Sequence, residues 1–466
     1  MVNGSDGSVE RSDDSAKRSG DFVVGNENLI KEIDRFPEGV VTPPPSKSIS
    51  HRALICAALA GGDKAIGRIK NIGESDDIDA TRRGVEILRA GDNTRAVDCG
   101  ESGSTLRFLI PLAGIDGREW VFKARGRLIE RPMGIYKDLF ESRGGFFEQT
   151  VYSSGSESAD AGGYTGEVRV RGPLRPGRYE LAGDVSSQFI SGLMLALPLL
   201  GGDSEIALTT PLASADYVRL TADVMRAFGI ETRERGEGGD GIVNFDKLTG
   251  WDVPGGGHYK SVKYRVESDW SQAAFFLCAG ALGRRIAVAG MSPGSLQGDM
   301  RILGILKDAG ADVDAEMRLI PKRDTALFRA LSPHAGLNAV TVDATNIPDL
   351  VPPVAALACY LKGESRIENA GRLRLKESDR LAALAQELGH IGADIRTEGD
   401  TLVINGKERL AGGSADAHGD HRIAMAISVA AIGCDGPVTL TGWESVRKSY
   451  PKYWDDFEKT ETYKDA

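Results

Sequence analysis

Residues 42–62 read Thr42-Pro-Pro-Pro-Ser-Lys-Ser-Ile-Ser-His-Arg-Ala-Leu-Ile-Cys-Ala-Ala-Leu-Ala-Gly-Gly62, and the rest of the chain repeats this pattern. Three prolines, which a helix interior excludes, come first. A serine-rich segment of good N-cap residues follows them. An apolar run then predicts a helix from Ser50 to Ala60, which Gly61 and Gly62 end.

The start of this helix has the features of an anion site. Lys47 lies beside the predicted N-terminus, and Arg52 follows one turn later. Free backbone N–H groups and the positive end of the helix dipole would meet these two cations, an arrangement suited to phosphate or carboxylate. The plain alternative is an ordinary capped helix that carries two surface cations.

Composition narrows the class of protein. The chain has 466 residues, 41% of them hydrophobic and 27% charged, which is typical of a soluble protein of two or three domains. Its net charge of −10 gives no support to nucleic-acid binding. A cationic pocket in such an acidic protein would bind a small anion rather than a polyanion.

Cysteine usage and hydropathy favour a cytoplasmic protein. The thiols are scattered, odd in number and without a CxxC pair, which predicts buried free cysteines in a reducing compartment. They are Cys56, Cys99, Cys278, Cys359 and Cys434. The apolar runs are too short to span a bilayer. Residues 1–20 are polar and predict a disordered tail, not a secretory or transit signal.

The opening unit recurs six times. A polar loop leads into an apolar helix that ends in glycine at 46–61, 100–114, 184–201, 267–283, 347–363 and 419–433. A second, amphipathic helix follows at 77–91, 131–145, 215–229, 296–310 and 377–392, and a sixth would begin near Tyr450. Short strands are predicted at 120–124, 167–170, 206–209, 286–289, 339–342, 401–404 and 437–440.

This repeat predicts an α/β protein in which buried apolar helices aim their N-termini at one cavity. The alternative is a large α/β protein whose helices happen to be capped by serine and aspartate. The segment Gly100-Glu-Ser-Gly-Ser-Thr105 lacks the lysine of an NTPase loop, but it can present backbone N–H groups to an anion. Ser186-Ser-Gln188 opens the third helix with polar groups suited to a phosphate or a sugar-like hydroxyl.

Charged motifs supply candidate chemistry, although each has a structural explanation too. Arg125-Gly-Arg-Leu-Ile-Glu-Arg-Pro132 could bind anions bidentately or form a surface turn. Lys376 and Arg380 are four residues apart, on one face of a predicted helix, with Glu377 beside them. Buried among cations, such carboxylates can move protons, whereas on the surface they form salt bridges of little energetic value. His418 and His421 are spaced for a metal pair, but no further ligand lies near, and we expect no metal.

Six motifs in order resemble those of the enolpyruvyl transferases. They are Pro-Ser-Lys-Ser-x-Ser-x-Arg52, Ser-Gly-Ser-Thr-x-Arg107, Arg127-x-x-Glu-Arg-Pro132, Ser186-Ser-Gln188, Lys376-Glu-Ser-Asp-Arg380 and Asp420-His-Arg422. The resemblance covers about residues 29–457. It implies two inside-out α/β domains of three repeated βαβαββ-type units each, with the active site in the cleft between them. The implied division is 21–44 plus 264–466 for one domain and 45–263 for the other.

Within this family, the branch that acts on shikimate 3-phosphate resembles the chain most. The implied reaction transfers the enolpyruvyl group of phosphoenolpyruvate to the 5-hydroxyl of shikimate 3-phosphate, with release of phosphate, on the route to aromatic amino acids. The resemblance implies a catalytic role for Lys47, Asp349 and Glu377. It implies shikimate 3-phosphate binding by Lys47, Ser48, Arg52, Ser186, Ser187, Ser214, Tyr217, Asp349 and Lys376. It implies phosphoenolpyruvate binding by Lys47, Gly103, Arg127, Gln188, Arg380, Arg422 and Lys448.

The implied chemistry requires no metal and no organic cofactor, and we expect a monomer with no membrane or nucleic-acid partner. The family is also the target of the herbicide glyphosate, which occupies the phosphoenolpyruvate site. The chain departs from the common motif at Glu101, Ser104 and Phe108, so its sensitivity to glyphosate stays open. A carboxylate at Glu101 would repel an anion unless an arginine such as Arg107 neutralises it. Arg372 stands where some relatives have an asparagine, and no role is assigned to it.

Two alternatives remain. The cell-wall branch of the family uses UDP-N-acetylglucosamine, has Lys-Asn where this chain has Lys47-Ser48, and usually carries a reactive cysteine in a loop after its arginine motif. No cysteine lies between Cys99 and Cys278, which argues against that branch. A catalytically inactive ligand-binding relative is the other alternative, and the intact charged residues argue against it.

Overall fold

The structure is a computed structural model, and it describes residues 23–25, 28–90, 96–153, 162–239, 242–320, 323–331 and 336–459. The predicted disordered tail at residues 1–20 lies outside this range. Where the chain is described, no helix combines the length and the apolar composition needed to cross a bilayer. All five cysteines are free thiols; four are buried and Cys434 is partly buried, as predicted.

The helices follow the predicted alternation closely. The α-helices are α1 Lys47–Gly61, α2 Asp63–Ile66, α3 Asp76–Ala90, α4 Gly103–Ala113, α5 Gly134–Glu141, α6 Ser187–Ala196, α7 Ala215–Ala227, α8 Trp270–Ala281, α9 Ile302–Asp308, α10 Val351–Ala358, α11 Arg380–His390, α12 His421–Ala431 and α13 Tyr453–Phe457. Short 3-10 helices lie at Gly126–Glu130, Leu197–Leu199, Gly298–Arg301, Pro348–Leu350, Gly371–Leu375 and Trp443–Lys448. Six of the α-helices, namely α1, α4, α6, α8, α10 and α12, are the predicted apolar ones.

The strands at the predicted positions are short, whereas three strands that were not predicted, at Ile242–Val253, Asp312–Ile320 and Arg323–Leu331, have nine to twelve residues. They are β1 Val23–Gly25, β2 Asn28–Ile33, β3 Gly39–Val41, β4 Ile69–Lys70, β5 Ala96–Asp98, β6 Glu119–Ala124, β7 Phe146–Val151, β8 Gly166–Arg171, β9 Gly177–Leu181, β10 Ser204–Leu208, β11 Arg233–Gly239, β12 Ile242–Val253, β13 Tyr264–Arg265, β14 Ile286–Met291, β15 Asp312–Ile320, β16 Arg323–Leu331, β17 Thr341–Asp343, β18 Glu364–Glu368, β19 Asp394–Glu398, β20 Thr401–Asn405, β21 Gly413–Asp416 and β22 Val438–Thr441.

The described strands form six sheets, and their pairing repeats. The orders are β5-β6-β8-β7, β11-β12-β10-β9, β15-β16-β14-β3, β17-β18-β20-β19, β1-β2-β22-β21 and the two-stranded β13-β4. Each four-stranded sheet contains one parallel and two antiparallel pairs. The same combination occurs in the sheets of the other half. The repeated unit read from the sequence is therefore present as one sheet topology that occurs five times, and the two-stranded sheet β13-β4 is the exception.

The apolar helices pack into two separate hydrophobic cores. One core draws on residues 49–266. The other contains Ile33 and Val41 and then residues from Trp270 to Phe457. Helix α8 is buried along its whole length, as expected of a helix that is apolar on every side. We propose that the two cores mark two domains divided at about residues 44 and 264, since core membership changes between Val41 and Ile49 and again between Val266 and Trp270.

Candidate active site

One cavity lies between the two cores, where the N-termini of five apolar helices meet. Its wall includes first-turn residues of α1, α4, α6 and α12, and the segment Pro348–Leu350 that leads into α10. The N-terminus of helix α8 lies beside that of α1. Its N-cap residue, Asp269, accepts a hydrogen bond of 2.9 Å from the backbone N–H of Lys47. The predicted convergence of positive helix ends is confirmed.

Cations dominate this cavity. Eight lysine and arginine side chains line it, against three carboxylates, which leaves an excess of five positive charges. The cations are Lys47, Arg52, Arg107, Arg131, Arg372, Lys376, Arg380 and Arg422, and the carboxylates are Asp77, Asp349 and Glu377. The two halves of the chain supply four cations each. A cavity of this kind suits ligands that carry several negative charges.

Asp77 holds Lys47 at the N-terminus of α1. Its Nζ donates a hydrogen bond of 2.7 Å to Asp77 Oδ2. Burial alone would lower the pKa of Lys47, but the carboxylates of Asp77 and Glu377 outweigh burial and raise it. The ammonium is therefore charged and its position is fixed.

Arg52 is buried beneath the cavity and held by four hydrogen bonds. Nε donates to Thr221 Oγ1 at 2.6 Å, and Nη1 donates to the carbonyl of Ser48 at 2.7 Å. Nη2 donates to Ser191 Oγ and to the carbonyl of Tyr217. Burial lowers the pKa of Arg52 to about 10, so the group stays charged at neutral pH. Phe108, one of the departures from the common motif, lies under this guanidinium at 4.9 Å.

Asp349 connects both halves of the site. Tyr217, from the first core, donates its hydroxyl to Oδ2 at 3.0 Å. Arg380 Nη1 donates to Oδ1 at 3.1 Å, Arg422 Nη2 lies 3.1 Å from Oδ2, and Lys376 Nζ lies 3.8 Å from Oδ1. Burial raises the pKa of this carboxyl, but Arg422, Lys376 and Arg380 more than offset that effect and hold it well below its ordinary value.

Glu377 has an arginine at each carboxylate oxygen. Arg380 Nη2 donates to Oε2 at 2.6 Å, and Arg131 Nη2 lies 3.7 Å from Oε1. Burial would raise the pKa of Glu377, yet Arg380 and Arg131 hold it well below its ordinary value. Lys376 precedes α11 in extended backbone, and α11 begins only at Arg380. The prediction that Lys376 and Arg380 share a helix face is wrong, because Asp379 caps the helix by accepting from the N–H of Ala382.

The Ser-Ser-Gln motif contributes polar groups at the start of α6. Ser186 caps the helix by accepting from the N–H of Gln188, and all three residues line the cavity. Gln188 Oε1 accepts from Arg107 Nη1 at 2.7 Å, and its Nε2 donates to Ser104 Oγ at 3.1 Å. Ser104, another departure from the common motif, therefore orients Gln188.

The start of α7 joins the two cores. Ser214 has a left-handed backbone (φ 59°), and its N–H donates to the carbonyl of Thr345. Arg372 Nη2 donates to Ser214 Oγ at 2.8 Å and to the same Thr345 carbonyl at 2.6 Å. Arg372, which had no assigned role, thus bridges the two halves at the edge of the cavity.

Fourteen of the sixteen predicted site residues line this cavity. They are Lys47, Ser48, Arg52, Gly103, Ser186, Ser187, Gln188, Ser214, Tyr217, Asp349, Lys376, Glu377, Arg380 and Arg422. Arg127 and Lys448 do not. Arg127 is exposed, and its Nε lies 3.5 Å from Glu130 Oε2. Lys448 donates to Glu101 Oε2 and to the carbonyl of Gly419, both at 2.7 Å.

A lysine rather than an arginine such as Arg107 neutralises Glu101. Lys448 from the other half pairs with Glu101 instead, while Arg107 turns toward Gln188 and the carbonyl of Pro132. The carboxylate of Glu101 does not line the cavity, so it places no negative charge directly against a bound anion.

Sequence reasoning missed several residues of the cavity wall. They are Asp77, Ser104, Arg107, Phe108, Arg131, Arg372 and His421. Arg131 could have been found, because it closes the same arginine-rich motif as Arg127. His421 is the first residue of α12; burial, together with Lys47, lowers its pKa well below the ordinary value, so it is neutral.

The described residues contain no group of three or more His, Cys, Asp and Glu side chains placed to hold a metal ion. His418, half of the pair considered from the sequence, lies with Nε2 2.8 Å from Glu387 Oε1. The interaction explains this histidine as part of a surface pair with a buried carboxylate.

Comparison with known proteins agrees with this geometry. The sequence model described as EPSP synthase (3-phosphoshikimate 1-carboxyvinyltransferase) matches residues 32–457. The 3-phosphoshikimate 1-carboxyvinyltransferase of Clostridium kluyveri is 41% identical over 440 residues, covering 90% of this chain and 94% of the relative. That of Clostridium novyi is 39% identical over 456 residues, covering 92% and 97%.

This chain belongs to the EPSP synthase family.

Solved structures support the fold of this family member. The EPSP synthase of Acinetobacter baumannii aligns with a TM-score of 0.68 at 24% identity, covering 91% of this chain and 96% of that one. The enolpyruvyl transferase NikO of Streptomyces tendae aligns with a TM-score of 0.63 at 17% identity, covering 92% and 96%. The predicted two-part α/β enolpyruvyl transferase fold is confirmed.

Proposed function

We propose that this EPSP synthase family member transfers the enolpyruvyl group of phosphoenolpyruvate to the 5-hydroxyl of shikimate 3-phosphate and releases phosphate. The cavity between the two cores carries the proposal. Shikimate 3-phosphate and phosphoenolpyruvate each have one phosphate and one carboxylate, or roughly five to six negative charges together. The excess of five positive charges in the cavity matches that total.

We assign shikimate 3-phosphate to the side of the cavity lined by α1, α6 and α7. Arg52 and Ser48 are placed for a carboxylate or hydroxyl at the start of α1, and Ser186 and Ser187 are placed for phosphate at the start of α6. The full proposed set is Lys47, Ser48, Arg52, Ser186, Ser187, Ser214, Tyr217, Asp349 and Lys376. Each charge-assisted hydrogen bond of this kind contributes about 1.5–3 kcal/mol.

Phosphoenolpyruvate is assigned to the side lined by α4, α11 and α12. Arg380 and Arg422 approach it from one half, and Gly103 and Gln188 from the other. Arg127 and Lys448 complete the proposed set with Lys47. Both of these cations lie outside the cavity, so their role requires Arg127 to turn away from Glu130 and Lys448 to exchange its bond to Glu101 for one to the ligand.

The proposed reaction begins at Asp349. Its carboxylate accepts the proton of the 5-hydroxyl while the hydroxyl oxygen bonds to C2 of phosphoenolpyruvate, and C3 takes up a proton from Glu377 to become a methyl group. Glu377 takes up that proton from solvent beforehand, which the bound anions permit because they offset the charges of Arg380 and Arg131. The surrounding cations make Asp349 a weak base in the unliganded protein. Bound phosphates and carboxylates would neutralise those cations and return the pKa of Asp349 toward its ordinary range.

Elimination completes the reaction. The C2–O bond to phosphate breaks, Glu377 takes back a proton from the methyl group, and the vinyl ether of the product forms. The inorganic phosphate leaves with the proton that Asp349 had accepted. We assign the C3 proton to Glu377, with Lys47 close by. Lys47 remains charged and can stabilise the departing phosphate.

The test of this function is an assay of phosphate release from phosphoenolpyruvate with shikimate 3-phosphate and, separately, with UDP-N-acetylglucosamine. We expect release with shikimate 3-phosphate only, together with a vinyl ether product in the proton NMR spectrum. Release with the UDP-sugar alone would identify the cell-wall branch. Tight binding of shikimate 3-phosphate without release would identify a catalytically inactive relative.

We also propose that the chain works as a monomer in a reducing compartment such as the cytoplasm. Five free thiols suit such a compartment, and the site is complete within one chain. Light scattering at micromolar concentration should give the mass of one chain, 49.7 kDa.

A further inference from the structure

Arg131 is a buried cation of the cavity wall, and it belongs to neither of the two proposed sets of substrate-binding residues. It follows the 3-10 helix Gly126–Glu130, its side chain is only 7% exposed, and it belongs to the first core. Its backbone is anchored on both sides, because its N–H donates to the carbonyl of Leu128 and its carbonyl accepts from Gln149 Nε2. The fold therefore fixes the backbone from which this side chain extends.

Two neighbours fix the direction of this guanidinium. Nη2 lies 3.7 Å from Oε1 of Glu377, which belongs to the other core. Nη1 passes so close to Gly103 that a methyl group on that glycine would lie 3.0 Å from it. Because Gly103 has no side chain, the Arg131 guanidinium can pass it and reach Glu377 in the other core.

We propose that Arg131 is a positioning residue that holds Glu377 in place for proton transfer at C3 when the two halves of the site come together. Arg380 binds one oxygen of Glu377 from its own half of the chain. Arg131 reaches the other oxygen from the opposite half, so the carboxylate acquires its second partner only when both halves are in contact. The proposal rests on the function proposed above and adds a requirement for proton transfer.

Charged and titratable groups surround Glu377 on several elements. Those that interact with it are Lys47, Arg107, Arg131, Asp349, Lys376, Arg380, Asp420 and His421. Arg380 remains beside Glu377 when Arg131 is removed. We therefore expect loss of Arg131 to raise the pKa of Glu377 without making the group neutral at pH 7.

A direct role in substrate binding is the rival explanation. Nε of Arg131 is buried and has no hydrogen-bond partner among the described residues, so an oxygen of phosphoenolpyruvate could accept from it. This role would change the Michaelis constant for phosphoenolpyruvate, whereas positioning of Glu377 would change the turnover number.

The experiment is a double-mutant cycle of Arg131→Gln and Glu377→Gln, assayed by phosphate release at saturating substrates. We expect Arg131→Gln to lower kcat by roughly 10–100-fold in the wild-type background, the scale of a misplaced catalytic group. In the Glu377→Gln background, we expect the same change to have little further effect, because residues that act as a unit are not additive. The acid limb of the kcat profile should move to higher pH in Arg131→Gln.

Controls separate the possible failures. Arg131→Lys keeps the charge and should restore part of kcat. Arg178→Gln, which removes an exposed ion pair with Glu180 and Glu205, should leave kcat unchanged. Additive losses, or a higher KM for phosphoenolpyruvate at normal kcat, would overturn the positioning role. An inactive wild-type protein would instead refute the proposed function.

Discussion

Asp349 shows at the scale of one residue how the two halves share chemistry. It accepts a hydrogen bond from Tyr217 of one core and lies against three cations of the other. We predict that Asp349→Asn keeps the fold and lowers kcat by roughly 10²–10⁴-fold, the usual range for a general acid or base. The amide can still hydrogen-bond but cannot accept the proton.

Phosphate release at saturating substrates measures this effect, and the thermal midpoint checks the fold. Asp435→Asn, which removes an exposed ion pair with Arg409, is the matched control. Near-normal turnover in Asp349→Asn would show that the proton goes elsewhere.

Gly103 gives a second prediction at this scale. A methyl group here would lie 3.0 Å from Arg131 Nη1, 3.4 Å from Gln188 Oε1 and 3.5 Å from Arg107 Nη1. Arg131 Nη1 must shift by a few tenths of an ångström, whereas the other two distances are ordinary van der Waals contacts. The added methyl group narrows the proposed phosphoenolpyruvate site. Glyphosate is longer than phosphoenolpyruvate, so we predict that Gly103→Ala raises the glyphosate inhibition constant by a larger factor than the KM for phosphoenolpyruvate.

Both constants are to be measured in the wild type and in Gly103→Ala. Gly304, which has open space where a methyl group would lie, supplies the control substitution Gly304→Ala. Equal changes in the two constants, or none, would show that Gly103 does not face the end of the site where the ligands differ.

Lys376 gives a prediction about pH. Burial lowers its pKa to about 8, although Asp349 acts in the opposite direction. Above that pH the free protein loses one positive charge of the proposed shikimate 3-phosphate site. We therefore predict that kcat/KM for shikimate 3-phosphate falls as pH rises through about 8, since this parameter reports groups of the free enzyme.

Lys376→Arg tests the assignment, because arginine stays charged throughout this range. In Lys376→Arg, the fall of kcat/KM for shikimate 3-phosphate should begin at a higher pH than in the wild type. An unchanged alkaline limb in Lys376→Arg would assign the titration to another group.

Single residues were the hardest part of the site to predict from the sequence. The family resemblance identified the catalytic roles of Lys47, Asp349 and Glu377, because the motifs of the family that contain Lys47 and Glu377 can be matched residue by residue. Partners across the interface were not visible. For Glu101 the sequence offered an arginine such as Arg107, whereas Lys448, 347 residues away, donates to it. Such pairs depend on how the two cores are placed, which no local pattern contains.

At the scale of elements, composition predicted the helices well because each apolar helix begins after a polar loop and ends near glycine. The second helices were less accurate. The stretch 296–310 divides into the 3-10 helix Gly298–Arg301 and α9, and the stretch 377–392 starts three residues late, at Arg380. In the second case the cap at Asp379 decides the boundary and frees Lys376 and Glu377 to face the cavity.

The N-terminus of α7 is the element that we expect to control contact between the halves. Ser214 and Tyr217 bond to the opposite core, and Arg372 closes the junction through Ser214. We predict that Arg372→Ala raises the KM for shikimate 3-phosphate by about tenfold, the loss expected for one charge-assisted hydrogen bond. Arg374→Ala, whose guanidinium donates to the carbonyl of Gly399 away from the cavity, is the control.

Steady-state kinetics with varied shikimate 3-phosphate measure this change. A KM that stays normal in Arg372→Ala would mean that the junction does not contribute to the binding-competent form.

At the scale of the whole molecule, the sixfold repeat predicted the burial of the apolar helices and the convergence of their N-termini. It did not predict that β2 and β3, which precede the first core, complete sheets with β22 and β14 of the second. Strands that pair over such sequence distances produce no periodic pattern in the sequence from which the pairing could be predicted. The family resemblance implied only that residues 21–44 belong with residues 264–466, and the membership of the two cores agrees with this division.

Charge also predicts how the whole molecule responds to ligand. Four cations from each half face one cavity, and without bound anions their repulsion favours separation of the halves. A ligand with several negative charges binds the closed form better and shifts the population toward it. The complete site then exists only when the two halves are closed on each other.

The most direct test of this shared site is small-angle X-ray scattering with and without shikimate 3-phosphate. We predict a larger radius of gyration for the free protein than the described structure gives, and a decrease toward that value when ligand is added. Sodium sulfate at the same ionic strength is the control for screening. A radius of gyration that is unchanged by saturating shikimate 3-phosphate would contradict a site assembled by closure of the two halves.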